Sequence, residues 1–304
     1  TLCMGGGREG GVKPKESASS TRNLYLKPNE IIFRNQIIPA PFNHLKEHEF
    51  CYQYDHQIIN LERRGYFVSA TRNNGVCIAG HGIYITSQSS AESIFIADEV
   101  LNGMYDFQNC GNEFVVIDIG MNIGCAALKF AQYDWVRKIY GFEPFATTFD
   151  EAELNLKINP KLAEKIAIFD FGLLDVDKEI SVRFNHKRHS MMSVCRDFFS
   201  TDAHLPVEKV RVRNAVDVVR EIIERHNEKI MLKIDCEGSE HAIVPALDAA
   251  GLLEKVSIVI MKYHFGKSDE LVKILERNGF AIEIRDVRED IGTGMIRGTK
   301  LNCV

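Results

Sequence analysis

The feature that most constrains this chain is an alternation that begins at Glu113, where short β-rich runs and helical stretches follow one another almost to the end. FVVIDIG, KIYGFEP, KIAIFDFG, KIMLKID, KVSIVIM and FAIEI read as strands, with helical periods near 123–132, 145–157, 215–227, 240–250 and 268–278. Strands joined through helices run parallel with right-handed crossovers, so the pattern predicts an α/β fold with a doubly wound, mostly parallel, Rossmann-like sheet. One insertion, from about Leu174 to Arg213, carries EISVRF and EKVRVR on either side of a polar stretch. It reads as strand-loop-strand at the mouth of the sheet.

A chain of 304 residues with 45% apolar content can fill the core such a sheet needs. Residues 1–23 cannot, because glycine clusters, serines and mixed charges leave almost nothing to bury; they are expected to form a flexible tail. Residues 24–90 read as a β-rich N-terminal module, with Asn74-Gly75 as a hairpin signal, serving as an accessory or homo-oligomerisation element. AESIFIADEVLNGMY then puts Ile94, Ala97, Val100 and Leu101 on one helical face and opens the main domain, 91–304.

Charge narrows the partners. With 37 basic against 42 acidic residues the formal charge is -5, which argues against a nucleic-acid binder. No run approaches the roughly 18 apolar residues of a spanning helix, and the first twenty residues contain no apolar signal core. The expectation is a cytoplasmic protein. Eight cysteines without a CxxC pair fit reduced thiols, and Cys125 and Cys236, inside apolar elements, read as small buried hydrophobes rather than nucleophiles.

The chemistry is expected at the carboxyl ends of the strands. In VVIDIGMNIGCAAL an apolar strand ends at Asp118 and is followed by Gly120, Asn122 and Gly124 before a helix, a turn that lets a ligand approach the backbone. Glu143 closes the next strand at a spacing suited to a ribose hydroxyl pair. A pyrophosphate would be repelled by Asp118, whereas S-adenosylmethionine brings a sulfonium and an ammonium, so S-adenosylmethionine is favoured over NAD. KIMLKIDCEGSEHAIVPAL places Lys233, Asp235 and Glu237 on one face by the period of two. A carboxylate there can assist deprotonation of a hydroxyl, although an ion-paired helix cap is the competing reading. His264, after IVIMKYHF, is a general-base candidate on the same rim, and Lys187, Arg188, His189 and Ser190 of the insertion are candidate acceptor contacts unless that loop is merely solvated. Asp235 with Glu237 or His264 can also hold Mg²⁺, with no diagnostic ligand spacing.

Read together, VVIDIGMNIG, GFEP and KIDCEGSE resemble the FkbM-type methyltransferases, with further matches at FDFGLL, MMSV, the GF before AIEI, and Gly294-Met295-Ile296. The resemblance spans about Ala91 to Lys300 and implies S-adenosylmethionine-dependent methylation of a hydroxyl on a sugar, glycan or small molecule. It adds Asp170 and Gly172 to the expected cofactor contacts, and it makes Asp235 and His264 catalytic with Glu237 and Lys233 in support. One position departs: such proteins often carry glutamate where Lys262 stands, which keeps a noncatalytic cofactor-binding protein as the alternative, ahead of an NAD-dependent oxidoreductase.

Overall fold

The computed structural model describes residues 25–27, 30–33, 36–39 and 50–300, except 72–74, 89, 108, 110 and 267. The expected tail and the Asn74 turn lie outside the described residues. Strands β1 (Tyr25–Lys27), β2 (Glu30–Phe33) and β3 (Gln36–Pro39) form an antiparallel meander. Helices α1 (Phe50–Gln53) and α2 (Asp55–Arg63) follow, and then a second meander of β4 (Phe67–Ala70), β5 (Val76–Gly80) and β6 (Ile83–Ser87). The segment expected to be β-rich therefore carries helices as well. Only Ile58 and Leu61 of α2 are buried, too few to mark a helical period in a charged stretch.

Helix α3 (Ser93–Leu101) leads into the main sheet, and it buries the predicted face, Ile94, Ala97, Val100 and Leu101. The first half runs β7 (Phe114–Ile119), α4 (Cys125–Ala131), β8 (Val136–Phe142), α5 (Ala146–Ile158), α6 (Pro160–Ala163) and β9 (Ile166–Phe169). The insertion is a separate three-stranded sheet of β10 (Gly172–Leu174), β11 (Lys178–Arg183) and β12 (Val207–Asn214), with a 3-10 turn at His186–Met191. The second half runs α7 (Ala215–Glu224), β13 (Lys229–Ile234), α8 (Glu240–Ala249), β14 (Val256–Tyr263), α9 (Ser268–Arg277), β15 (Phe280–Arg288) and β16 (Thr293–Lys300).

These strands make one seven-stranded sheet in the order β15-β16-β14-β13-β7-β8-β9. Six strands point one way, and β16 alone is reversed, antiparallel to both of its neighbours. The Rossmann-like architecture is the one the alternation predicts. Strand β16 adds to it; Gly294 and Gly298 dilute its apolar pattern in sequence.

The period of two sorts the strands into two cores. Val115, Ile117 and Ile119 of β7 and Ile230, Leu232 and Ile234 of β13 face α7, α8 and α9. Phe114, Val116 and Met231 face the other way, into a core shared with α4 and with Ile58, Leu61, Ile78 and Ile85 of the N-terminal segment. Hydrogen bonds stitch that segment to the first half of the sheet. Asn155 is fully buried; its side chain accepts from Thr86 N at 2.7 Å and donates to Ile123 O at 2.9 Å. Residues from 50 onward thus pack on the sheet itself.

Candidate active site

Three adjacent parallel strands end in left-handed backbone. Gly120 and Asn122 follow β7, Glu237 and Gly238 follow β13, and Phe265 and Gly266 follow β14, all with positive φ. Strained turns of this kind persist where the surrounding structure holds them, and they gather at functional sites. At Gly120 no side chain fits, because a Cβ would lie 1.9 Å from the Asp235 carbonyl oxygen. The close approach of these two turns opens a cavity of about 940 Å³ at the carboxyl edge of the sheet.

The first wall is the turn after β7 together with Glu143. Glu143 is buried and accepts from Asn122 N at 3.0 Å and Phe145 N at 3.1 Å. Burial pushes its carboxyl up to about 7 against those two hydrogen bonds. Met121, Asn122 and Gly172 line the same wall. Gly124 stands behind it, in a left-handed conformation at the start of α4.

The second wall holds the charges after β13 and β14. Tyr105, Asp235, Glu237, Lys262, His264 and Glu99 all line it. Tyr105 Oη donates to Asp235 Oδ2 at 2.5 Å. His264 Nε2 lies 3.2 Å from Glu237 and 3.8 Å from Asp235, while its Nδ1 lies 3.0 Å from Glu240 Oε1. Glu240 also accepts from the backbone N of His264 and of Gly238, which fixes both turns to α8. Burial opposes charging of the imidazole, but the hydrogen bonds to Glu237 and Glu240 outweigh it and hold His264 near 10. For Asp235 burial acts upward, yet Lys262, Lys233 and His264 together keep its carboxyl below the ordinary value.

Several expected roles change as a result. Asp118 does not reach the cavity. It shares a sheet face with Phe114 and Val116, where register sets it beside Lys233, and the two form a fully enclosed pair at 2.8 Å. Lys233 Nζ also donates to Gly120 O at 2.6 Å, so it ties the glycine turn to β13 rather than supporting a base. Asp170 turns outward, is 63% exposed, and pairs with Arg211 of β12, because the chain leaves the main sheet just after β9. The carboxylates around His264 raise its imidazole against burial and so favour the cationic form, which argues for a holding role over the expected general base.

Magnesium does not fit the cluster. Asp235, Glu237 and His264 offer ligand atoms within 4.8 Å of one another. However, Mg²⁺ prefers oxygen donors, and here the third donor is an imidazole nitrogen, with the Lys262 ammonium drawn to the same carboxylates. Lys262, in place of an acid, lies 3.8 Å from Glu99 and is held strongly protonated by Asp235, against burial, with Glu99 and Glu237 adding to the effect.

Sequence patterns missed Glu99 and Tyr105. Both come from α3 and the turn after it, and no local signal marks them, since their role depends on a fold contact spanning 130 residues in the Tyr105–Asp235 case. Burial pushes Glu99 up to about 7, with Lys262 opposing and Asp235 and Glu237 adding to the rise. The insertion also reaches the site. Ser193 of MMSV donates to Glu237 O at 2.6 Å, and Glu92 accepts from Ser190 N and Oγ at 3.0 and 2.7 Å. Cys125 and Cys236 border the cavity, but burial pushes the Cys125 thiol to about 12 and raises that of Cys236 well above its ordinary range, so neither is a thiolate.

A Rossmann-like sheet with a glycine turn after its first strand, an acid after the second and an ion cluster after the fourth parallel strand defines a nucleotide-cofactor enzyme fold. The family model of the methyltransferase FkbM domain matches residues 118–282, more than half of the 304 residues, and the chain belongs to that family. The AMB antimetabolite synthetase AmbE of Pseudomonas aeruginosa is 26% identical over 231 residues, which are 62% of this chain and 10% of that protein. The chain thus spans about a tenth of that relative's length. Among solved structures, methyltransferase FkbM from Methylobacillus flagellatus KT is similar with a TM-score of 0.43 at 13% identity, covering 86% of this chain and 62% of that one. Precorrin-6y C5,15-methyltransferase from Geobacter metallireducens GS-15 is similar with a TM-score of 0.35 at 12% identity, covering 68% of this chain and 88% of that one. No helix among the described residues is long and apolar enough to cross a membrane.

Proposed function

We propose that this methyltransferase uses S-adenosylmethionine and methylates a hydroxyl oxygen of a sugar, glycan or small molecule. The observation that carries the reading is the meeting, in one cavity, of the Gly120–Asn122 turn and Glu143 with the acidic cluster at Asp235. The residues fit the cofactor. The Gly120–Asn122 turn borders the cavity, and Glu143 offers a carboxylate to a ribose hydroxyl pair. Asp235, Glu237 and Glu99 line the second wall with carboxylate oxygens that can face the cofactor's cationic groups, while Asp118 is taken up by Lys233.

Bound S-adenosylmethionine supplies a methyl group on cationic sulfur, and its transfer breaks the carbon–sulfur bond, forms a carbon–oxygen bond and releases the hydroxyl proton. Asp235 accepts a hydrogen bond from that hydroxyl and takes its proton as the new bond makes the oxygen acidic. Weak basicity suffices there, because the proton leaves an oxygen already bonded to the incoming carbon. Tyr105 and the His264 imidazolium hold the carboxylate in place. Glu99, near neutrality, can take the proton onward. Much of the acceleration comes from holding two reactants in line.

Residues 50–107 belong to the catalytic unit in this reading, since they share its core and supply Glu99 and Tyr105. Calorimetry with S-adenosylhomocysteine and NAD, followed by mass spectrometry of methylated acceptors, tests the proposal. Tighter binding of NAD would overturn the cofactor assignment. S-adenosylhomocysteine binding without turnover on any hydroxyl acceptor would favour a binding protein.

A further inference from the structure

The floor of the cavity sets carboxylates against Lys262 and His264, and one residue of its rim is built in an unusual way. Arg196, exposed to solvent, places its guanidinium carbon 5.2 Å from the Phe198 ring and 5.4 Å from the Phe265 ring, the two rings lying 5.9 Å apart. Aromatic rings attract a guanidinium without consuming its N–H donors, which stay available to an anion. Among the described residues no carboxylate takes those donors. The adjacent acid, Asp197, faces Arg183 at 3.9 Å and accepts from Phe199 N instead.

The clamp is fixed to the reacting end of the site. Arg196 N donates to Ser193 Oγ at 3.2 Å, and Ser193 holds the Glu237 carbonyl. Phe265 is the residue after His264, has a φ of +64°, and fills the space over Gly238, where a Cβ would lie 2.3 Å from its ring. Its ring centroid is 6.3 Å from that of His264, so the guanidinium stands one ring beyond the catalytic cluster. Arg188 lines the same cavity. The cofactor wall, Gly120 to Glu143, lies at β7 and β8, on the far side of β13 from Phe265.

We propose that Arg196, seated beside the paired Phe198 and Phe265 rings, is a specificity residue that binds an anionic group, carboxylate or phosphate, of the methyl acceptor and so points its hydroxyl down to Asp235. At the floor the carboxylates are already matched by Lys262 and His264, whereas the Arg196 guanidinium has no carboxylate partner among the described residues, so an acceptor anion is drawn to the rim. This rests on the methyltransferase reading.

The test titrates protein saturated with S-adenosylhomocysteine, by calorimetry, with two matched probe pairs: glucuronate against glucose, and glycerol 3-phosphate against glycerol. The expected result is at least tenfold tighter binding of the anionic member in one pair, which identifies carboxylate or phosphate. Arg196→Gln should abolish the preference while S-adenosylhomocysteine affinity stays within twofold. No preference in either pair, or a preference that survives Arg196→Gln, overturns the inference alone. So does a tenfold loss of S-adenosylhomocysteine affinity in Arg196→Gln, because the arginine would then serve the cofactor's own carboxylate. Wild-type protein that fails to bind S-adenosylhomocysteine overturns both readings.

Discussion

Replacing Lys233 by methionine removes the partner of a carboxylate that has no route to water. Asp118 and Lys233 are 0% and 3% exposed at their side chains, and burial already raises the Asp118 carboxyl against the pull of the lysine. Stripped of that lysine, the carboxyl must keep its proton in the folded state, whereas in the unfolded chain it ionises from its ordinary value of 3.8. Each pH unit of that gap costs about 1.4 kcal/mol, so neutralisation at pH 7 costs about 4 kcal/mol. This agrees with the roughly 3 to 5 kcal/mol typical of breaking a buried pair by removing one member. The sign follows from linkage. The folded variant binds a proton that the unfolded chain has released, so its stability falls as pH rises above 3.8, and at pH 5 the cost shrinks to about 2 kcal/mol. Urea unfolding at both pH values, read by fluorescence of Trp135, the single tryptophan, which stacks on Tyr133, measures the difference. Adding Asp118→Asn to Lys233→Met should remove the pH dependence. A loss below about 1 kcal/mol at pH 7, or an equal loss at both pH values, would refute the reasoning, since a lone buried carboxylate cannot be tolerated at so small a cost.

Other expectations follow from the same geometry. Glu143 sits near 7, and an ionised carboxylate offers the ribose one more acceptor, so S-adenosylhomocysteine should bind several-fold tighter at pH 8 than at pH 6. In Glu143→Gln, calorimetry should show affinity lower by about 1 to 3 kcal/mol and that pH dependence gone. Tyr105→Phe deprives Asp235 of its donor and should lower kcat by about ten- to a hundredfold, with S-adenosylhomocysteine affinity changed by less than threefold. Asp235→Asn keeps the shape but loses the proton acceptor; kcat should fall by about 10² to 10⁴, and wild-type turnover in a variant that binds cofactor would move the base to Glu99.

The readable part of this protein is what the strand ends carry. Gly120, Asn122, Glu143, Asp235, Glu237 and His264 lie on different segments, yet each follows an apolar run, and parallel strands with right-handed crossovers bring all such ends to one edge. Position along the chain was therefore enough to gather them. Direction was harder to read. Asp118 looks like a site residue because it too closes an apolar run, but it belongs to the face that carries Phe114 and Val116, one residue short of the rim, while Lys233 beside it does border the cavity. Asp170 has the right neighbours in sequence and the wrong side of a strand exit, where the chain crosses to β10 and meets Arg211.

What the strand pattern could not supply is the electrostatic setting, since that comes from elements whose own sequence has no reason to advertise it. Glu99 lies on a helix recognised only by its apolar face, and Tyr105 lies in the turn beyond it, but together with Lys262 they decide the charge of the Asp235 wall. His264 shows the consequence. In isolation a histidine after a strand suggests a base, because its ordinary value lies near neutrality. Placed between Glu237 and Glu240 its cationic form is favoured, and in the proposed reaction the proton-accepting role falls to Asp235. The positive charge that Lys262 adds, where the family often has an acid, then works in the same direction. It lowers the Asp235 carboxyl, which favours its ionised form and makes the departure compatible with the proton-accepting role proposed for Asp235.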